Sequence, residues 1–170
     1  MAYASWSVVF GEQPSASKWN ILGTNDASFN DGTGLPTYTS ATALVTSNQS
    51  TTSGAYADLT TTTDTVTVTI GATGLALVFI EAEMDCSTAG IGMNASVTVS
   101  GANSATAGTI QTVPIIKHTT TVSAARPITK MAHILQTGLA AGSTTYKMKY
   151  NAGGGIACFF ANRRISVIVL

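Results

Sequence analysis

The stretch TVTVTIGATGLALVFIEAEMD, Thr65 to Asp85, decides the fold. From Thr65 to Ile70 apolar and hydroxyl residues alternate strictly, placing Val66, Val68 and Ile70 on one face of an extended chain. Gly71 and Gly74 then bracket a turn, and the alternation resumes with Ile80, Ala82 and Met84 against Glu81, Glu83 and Asp85. Similar segments follow to the end of the chain: NASVTVS, GTIQTVPIIK, ITKMAHILQT, TTYKMKY, GIACFFA and RISVIVL, with Gly-rich or Ser-rich turns between most of them. With a short strand around AYADL, they give eight or nine strands over 54–170 and no interrupting helical period. Many short antiparallel strands of this kind pack as a sandwich, so the expected fold is all-β, a jelly-roll-like antiparallel β-sandwich head. TTYKMKY and GIACFFA, joined through NAGGG, are expected to form a hairpin. ISVIVL is expected in the centre of a sheet, because that sequence at an open edge would invite aggregation.

Two other zones precede the head. Residues 36–53 are rich in Ser and Thr, carry no charge and show no strong apolar period, which predicts an extended connector, with Leu44 and Val45 touching down. Residues 1–35 open on a strand candidate, WSVVF. Pro14, Ser15 and Ser17 then supply helix-start chemistry ahead of KWNILGTNDASF, where Trp19, Leu22 and Phe29 recur at near-heptad spacing. NDGTG, Asn30 to Gly34, ends that segment as a turn. One or two helical turns are marginal without a partner, so Trp19, Leu22 and Phe29 are candidate contacts to other chains.

The composition bears on assembly. Of 170 residues, 45% are hydrophobic and only 9% charged, against about 25% charged in an ordinary soluble domain. So few charges suit a chain whose surface is covered by copies of itself. The formal net charge is zero, which argues against a nucleic-acid binder. Every acidic residue lies in the first half, where Lys18 is the only base, and the other seven bases lie in the second half. The bases form no block, so early and late strands are expected to meet and pair their charges, within a chain or between subunits. The N-terminus lacks the pattern of a Sec signal, and the longest apolar run, Leu75 to Ile80, is too short to cross a bilayer. A protein folded in the cytosol, without membrane insertion, is expected.

Candidate chemistry is sparse. Glu81, Glu83 and Asp85 share one strand face, and such a row could bind Ca²⁺ or supply the acid and base of a glycosidase. Lys147 and Lys149 alternate in the same way opposite Tyr146, Met148 and Tyr150, and two ladders of opposite sign favour cross-strand or cross-subunit ion pairs. Arg163 and Arg164 could hold an anionic glycan; pairing with the early acids is the better fit. His118 and His133 have no metal-ligand spacing. Cys86 and Cys158 each share strand parity with apolar neighbours, so buried free thiols are expected, with a disulfide as the alternative. Trp6, Trp19 and Tyr38 could form a sugar platform, but their place in the chain suits packing of the N-terminal part. No catalytic residue, cofactor or metal is assigned, and a non-enzymatic protein is expected.

The segment FGEQPSASKWNILGTNDASFNDGTGL, Phe10 to Leu35, resembles the N-terminal motif of bacteriophage tail-fibre and minor structural proteins. That resemblance implies a homotrimer whose N-terminal part joins other virion proteins and whose β-head faces a host surface, with a surface glycan as a candidate ligand. It implies a location in the virion, as a tail or surface appendage assembled in the host cytoplasm. A short connector suits a short fibre, tip or decoration, or a subunit of a self-assembling surface filament.

Overall fold

The computed structural model describes residues 15–17, 19–20, 38–109, 111–119 and 127–170. The chain divides into two units, Met1–Thr37 and Tyr38–Leu170. In the first, Ala16, Ser17, Trp19 and Asn20 are helical, and the Trp19 N–H donates to the Ser15 carbonyl at 3.1 Å. This is the short helix expected there. Trp19 is 58% exposed. Leu22, Phe29 and the WSVVF strand candidate lie outside the described residues.

The second unit is a jelly-roll-like sandwich of antiparallel strands: β1 (Thr39–Val45), β2 (Gln49–Thr51), β3 (Thr65–Ile70), β4 (Ala76–Cys86), β5 (Gly92–Gly101), β6 (Ile115–Thr119), β7 (Ile128–Gln136), β8 (Gly142–Ala152) and β9 (Cys158–Val169). One sheet runs β1-β9-β4-β7, with β2 also on β9; the other runs β3-β8-β5-β6. Successive strands largely alternate between the sheets, the wrapping of a jelly roll. The core lies between the apolar rows of the two inner faces. Val78, Ile80, Met84, Phe160, Ile165 and Val167 come from the first sheet, and Val66, Ile70, Met93, Val97, Tyr146, Met148 and Tyr150 from the second.

Three expectations are corrected. Much of the connector expected over 36–53 is sheet: β1 pairs with β9 from Thr39↔Val169 to Val45↔Arg163, and β2 pairs with β9 beyond it. In TSATALV the inward positions are Ala41, Ala43 and Val45, and alanines make so weak an apolar row that the period is easily missed. The hairpin expected between TTYKMKY and GIACFFA is instead a crossover, because β8 lies between β3 and β5 while β9 lies between β1 and β4. Its glycines form a single 3-10 turn, Gly153–Gly155. Gly155 has φ 68°, and a Cβ on Gly153 would stand 2.9 Å from the Gly92 carbonyl oxygen. The buried free thiols expected of Cys86 and Cys158 are a disulfide between directly opposed residues of β4 and β9, with Cα atoms 4.2 Å apart. Both side chains are fully buried, as their parity implied. Facing positions at equal depth on neighbouring strands bring the two sulfurs together.

The segments GIACFFA and RISVIVL are one strand with a bulge. Glu81 pairs with Arg164 and Glu83 with Ala161, so Asn162 and Arg163 together oppose Ala82. Asn162 takes φ 46°, a left-handed conformation that asparagine tolerates. The extra residue shifts the phase of the strand: Cys158 and Phe160 point inward before it, and Ile165, Val167 and Val169 after it. Arg163 is thereby carried into the core with no exposed surface.

The buried guanidinium is met from both sheets. Its Nη1 donates to Gln49 Oε1 at 3.0 Å and its Nη2 to the Thr61 carbonyl at 3.4 Å. Its Nε stands 3.3 Å from Asp64 Oδ2 without the alignment of a hydrogen bond, so that contact is ionic. The guanidinium also lies 5.4 Å from the Tyr150 ring centre, close enough for cation–π attraction. The Tyr150 hydroxyl donates to Asp64 Oδ2. Burial raises the Asp64 carboxyl above its ordinary value, against the opposing pull of Tyr150 and Arg163. Burial also pushes the Tyr150 hydroxyl far up, reinforced by the Asp64 charge.

Candidate functional site

The outer face of the five-stranded sheet holds the side chains that the core does not absorb. Register sets it out in rows: Leu135, Leu77, Ile168 and Ser40; then His133, Phe79, Ser166 and Thr42; then Met131, Glu81, Arg164 and Leu44. Beyond the bulge, Glu83 lies between Thr129 and Ala161, and Asp85 lies opposite Phe159. Six of the twelve residues in the first three rows are apolar, three of them in the first row. Met131 is 66% exposed, Leu135 51% and Leu44 50%. The Phe79 and His133 rings sit 5.7 Å apart, and Thr42 and Ser166 share a hydroxyl hydrogen bond of 2.9 Å.

The other end of the face is carved. A trough of about 340 Å³ runs over Glu83, Asp85, Phe159 and Ala161, with Asn48 and Pro127 also lining it. The hollow has a simple cause: Ala161 is small, while its neighbour on the same face, Phe159, is large. Both carboxylates are held in place. Glu83 Oε2 accepts from Asn162 Nδ2 at 2.7 Å, and Asp85 Oδ1 accepts from the Cys86 N–H at 2.8 Å. The bulge that buries Arg163 therefore also supplies the residue that orients Glu83. Directly behind Asp85 and Phe159, the Cys86–Cys158 disulfide ties the same two strands.

The two charge ladders do not meet within the chain. Glu81, Glu83 and Asp85 lie on the outer face of one sheet, and Lys147 and Lys149 on that of the other. Each ladder is backed by a buried apolar row, and those rows face each other across the core, so the charged faces must point apart. Both lysines pair instead with Asp58, at 3.0 and 2.8 Å. Burial alone would raise the Asp58 carboxyl, but the hydrogen bonds and charges of Lys149 and Lys147 outweigh it and hold it below its ordinary value. Glu81 pairs with Arg164 at 3.4 Å. The wider expectation holds: Asp58 with Lys147 and Lys149, Asp64 with Arg163, and Glu81 with Arg164 are all early acids meeting late bases.

Among the described residues no three of His, Cys, Asp and Glu stand together as a set of metal ligands. Phe159, Asn48 and Pro127 were not singled out by sequence reasoning. Phe159 had a signal, since CFF puts aromatic residues on both faces of one strand. Met131 and Leu135 had one too, because ITKMAHILQ is apolar in both parities.

No family model and no curated protein sequence matches the chain. Solved structures are similar to parts of the chain. The VP2 subviral particle of infectious bursal disease virus matches with a TM-score of 0.51 and 12% identity, covering 79% of this chain and 33% of that one. The chain thus spans about a third of the VP2 chain's length. The globular domain of zebrafish complement 1qA covers 79% of this chain and 97% of its own at 8% identity, with a TM-score of 0.40. TmCBM61, solved with β-1,4-galactotriose, covers 74% of this chain and 68% of its own at 12% identity, with a TM-score of 0.35. At such identities the VP2 likeness establishes the fold alone.

Proposed function

We propose that this chain is a phage or prophage virion structural protein, a homotrimer whose β-sandwich head adheres to a host surface. Residues 1–35 join it to other virion proteins, in a tail or surface appendage assembled in the host cytoplasm. The observation that carries the reading is the unfinished outer face of the five-stranded sheet, apolar at one end and opened at the other by the Phe159 trough. The N-terminal motif and the low charge content point the same way.

The trough suits a pyranose residue without negative charge. Phe159 offers an aromatic flank to the C–H face of a sugar, while Glu83 and Asp85 present acceptors to hydroxyl or amino groups. Among the described residues lining the trough none is a base, so there an acidic sugar would meet the Glu83 and Asp85 charges without a compensating one. Adhesion fits better than cleavage: Glu81 is tied to Arg164 and Glu83 to Asn162, where a glycosidase needs two carboxyl groups free to face one bond.

Binding is tested with short neutral, amino-bearing and acidic oligosaccharides by calorimetric titration. The neutral or amino-bearing probes should bind and the acidic one should not. Phe159→Ala should weaken binding roughly tenfold, the scale of one lost aromatic contact. Failure of every probe, or equal binding by the variant, contradicts the adhesion reading. A second reading, a subunit of a self-assembling surface filament, is favoured by the apolar rows if copies meet in a contact that does not close.

A further inference from the structure

We infer that a hollow at the opposite end of the sandwich from the trough is a second binding site, and that its ligand is a single uncharged sugar unit. It lies where the β5–β6 loop meets the end of β7, with a volume of about 210 Å³, and Ser104, Gln111, Thr112, Gln136 and Thr137 are among the residues that line it. Gln136 stands opposite Ala76 at the start of β4, a strand of 11 residues, and the trough's Asp85 is near its other end. The two sites are therefore roughly 30 Å apart, and this one does not depend on the trough.

Its walls are ordered in advance. Asn103 ties the β5–β6 loop to the β7–β8 loop: its Nδ2 donates to the Ala140 carbonyl and to Thr144 Oγ1, both at 2.9 Å, and its Oδ1 accepts from the Ala140 N–H at 2.8 Å. Gln136, 8% exposed, is held at both ends of its amide, accepting from the Tyr146 hydroxyl at 2.8 Å and donating to the Thr112 carbonyl. A side-chain amide can donate twice and accept twice, so half of that capacity is still unused in a residue that lines the hollow. Walls fixed before binding leave more of the contact energy for the ligand.

The chemistry of the lining selects the ligand. Among the described lining residues none is charged and none is aromatic. An ion would lose its water there without gaining a counter-charge, and a flat ring would find nothing to stack on. Amides and hydroxyls remain, beside the aliphatic surface of Val99, Leu135 and Leu139, which suits a ring with hydroxyls at its edge and C–H groups on its face. The side chains of Ser104, Gln111 and Thr137 have no hydrogen-bond partner among the described residues. Gln111 also holds φ 77°, a left-handed conformation that glycine takes freely and glutamine only under strain. Strain of that kind collects at ligand-binding positions.

The test is titration of the isotope-labelled full chain with N-acetylglucosamine, whose acetamido group can pair with side-chain amides, and with glucuronate as the charged probe, read by backbone amide NMR. N-acetylglucosamine should shift the Ser104, Thr112 and Thr137 amides, and glucuronate should leave them in place. Phe159→Ala should keep these shifts, because the trough is a separate site. Gln111→Gly should be at least as stable as the unaltered protein, since glycine relieves the strain, yet bind about fivefold more weakly, the scale of one lost hydrogen bond. Ser104→Leu, which replaces a hydroxyl with apolar bulk, should abolish the shifts. Shifts confined to Asp85 and Phe159 overturn this inference and leave the trough reading standing. Equal shifts with glucuronate, or unchanged affinity in both Gln111→Gly and Ser104→Leu, also overturn it, as does the absence of any shift at the hollow.

Discussion

Replacing Arg163 with alanine should destabilise the head by about 3–5 kcal/mol, the usual cost of breaking a buried ion pair from one side. Typical domains are stable by only about 5–15 kcal/mol, so the variant should unfold at much lower denaturant or accumulate in inclusion bodies. The loss is large because Asp64 is 1% exposed and would keep its charge, or take up a proton, without the guanidinium beside it. The Thr61 carbonyl would lose the guanidinium donor at the same stroke, and Gln49 Oε1 would keep only the Thr61 N–H. Removing both charges should be gentler. In an Asp64→Asn, Arg163→Met double variant the asparagine carbonyl can still accept the Tyr150 hydroxyl, and methionine fills part of the volume. Urea denaturation of the three variants measures the coupling. If Arg163→Ala and the double variant cost the same, the buried pair does not act as described.

Loss of the Cys86–Cys158 disulfide should have the second large effect. It links positions 72 residues apart, and closing a loop of that length restricts the unfolded chain by about 4 kcal/mol in the chain-entropy account. A Cys86→Ala, Cys158→Ala double variant should therefore unfold at clearly lower denaturant than the oxidised protein. Both sulfurs are fully buried, so reductant added to the folded protein should act slowly and speed up as denaturant opens the sandwich. Since Asp85 and Phe159 are the adjacent cross-strand pair, the double variant should also bind oligosaccharide more weakly. Equal denaturation midpoints for the oxidised protein and the double variant would count against this account of the bond.

The strands were readable in the sequence wherever one face is strongly apolar and the other polar. TVTVTI, LALVFIEAEMD and TTYKMKY fold as their alternation says, with Val66, Ile80 and Tyr146 inward. The period failed where the inward residues are small, as with Ala41 and Ala43 of β1. Composition also misled at NAGGG, since glycines suit a tight turn and a crossover equally, and only the neighbours of β8 and β9 distinguish the two. The bulge was latent in CFFANRRISVIV, where the apolar positions switch from even to odd between Phe160 and Ile165. That switch requires an extra residue and puts Arg163 inside.

The site was harder to read. A trough depends on what stands beside Ala161 across strands and loops, and Asn48 and Pro127 reach it from distant parts of the chain. The sequence placed each charge ladder on one strand face opposite an apolar row, and those faces turn outward. Within one chain the ladders do not pair, because two strands with apolar backs can face each other across a core, and then their charges point apart.

The central claim is that this β-sandwich works as an assembled trimer, and the mass of the unaltered chain in dilute solution tests it most directly. Native mass spectrometry should give three times the 17.4 kDa of one chain, with no monomer at low micromolar concentration. A single species at 17.4 kDa that persists as the concentration is raised would contradict it.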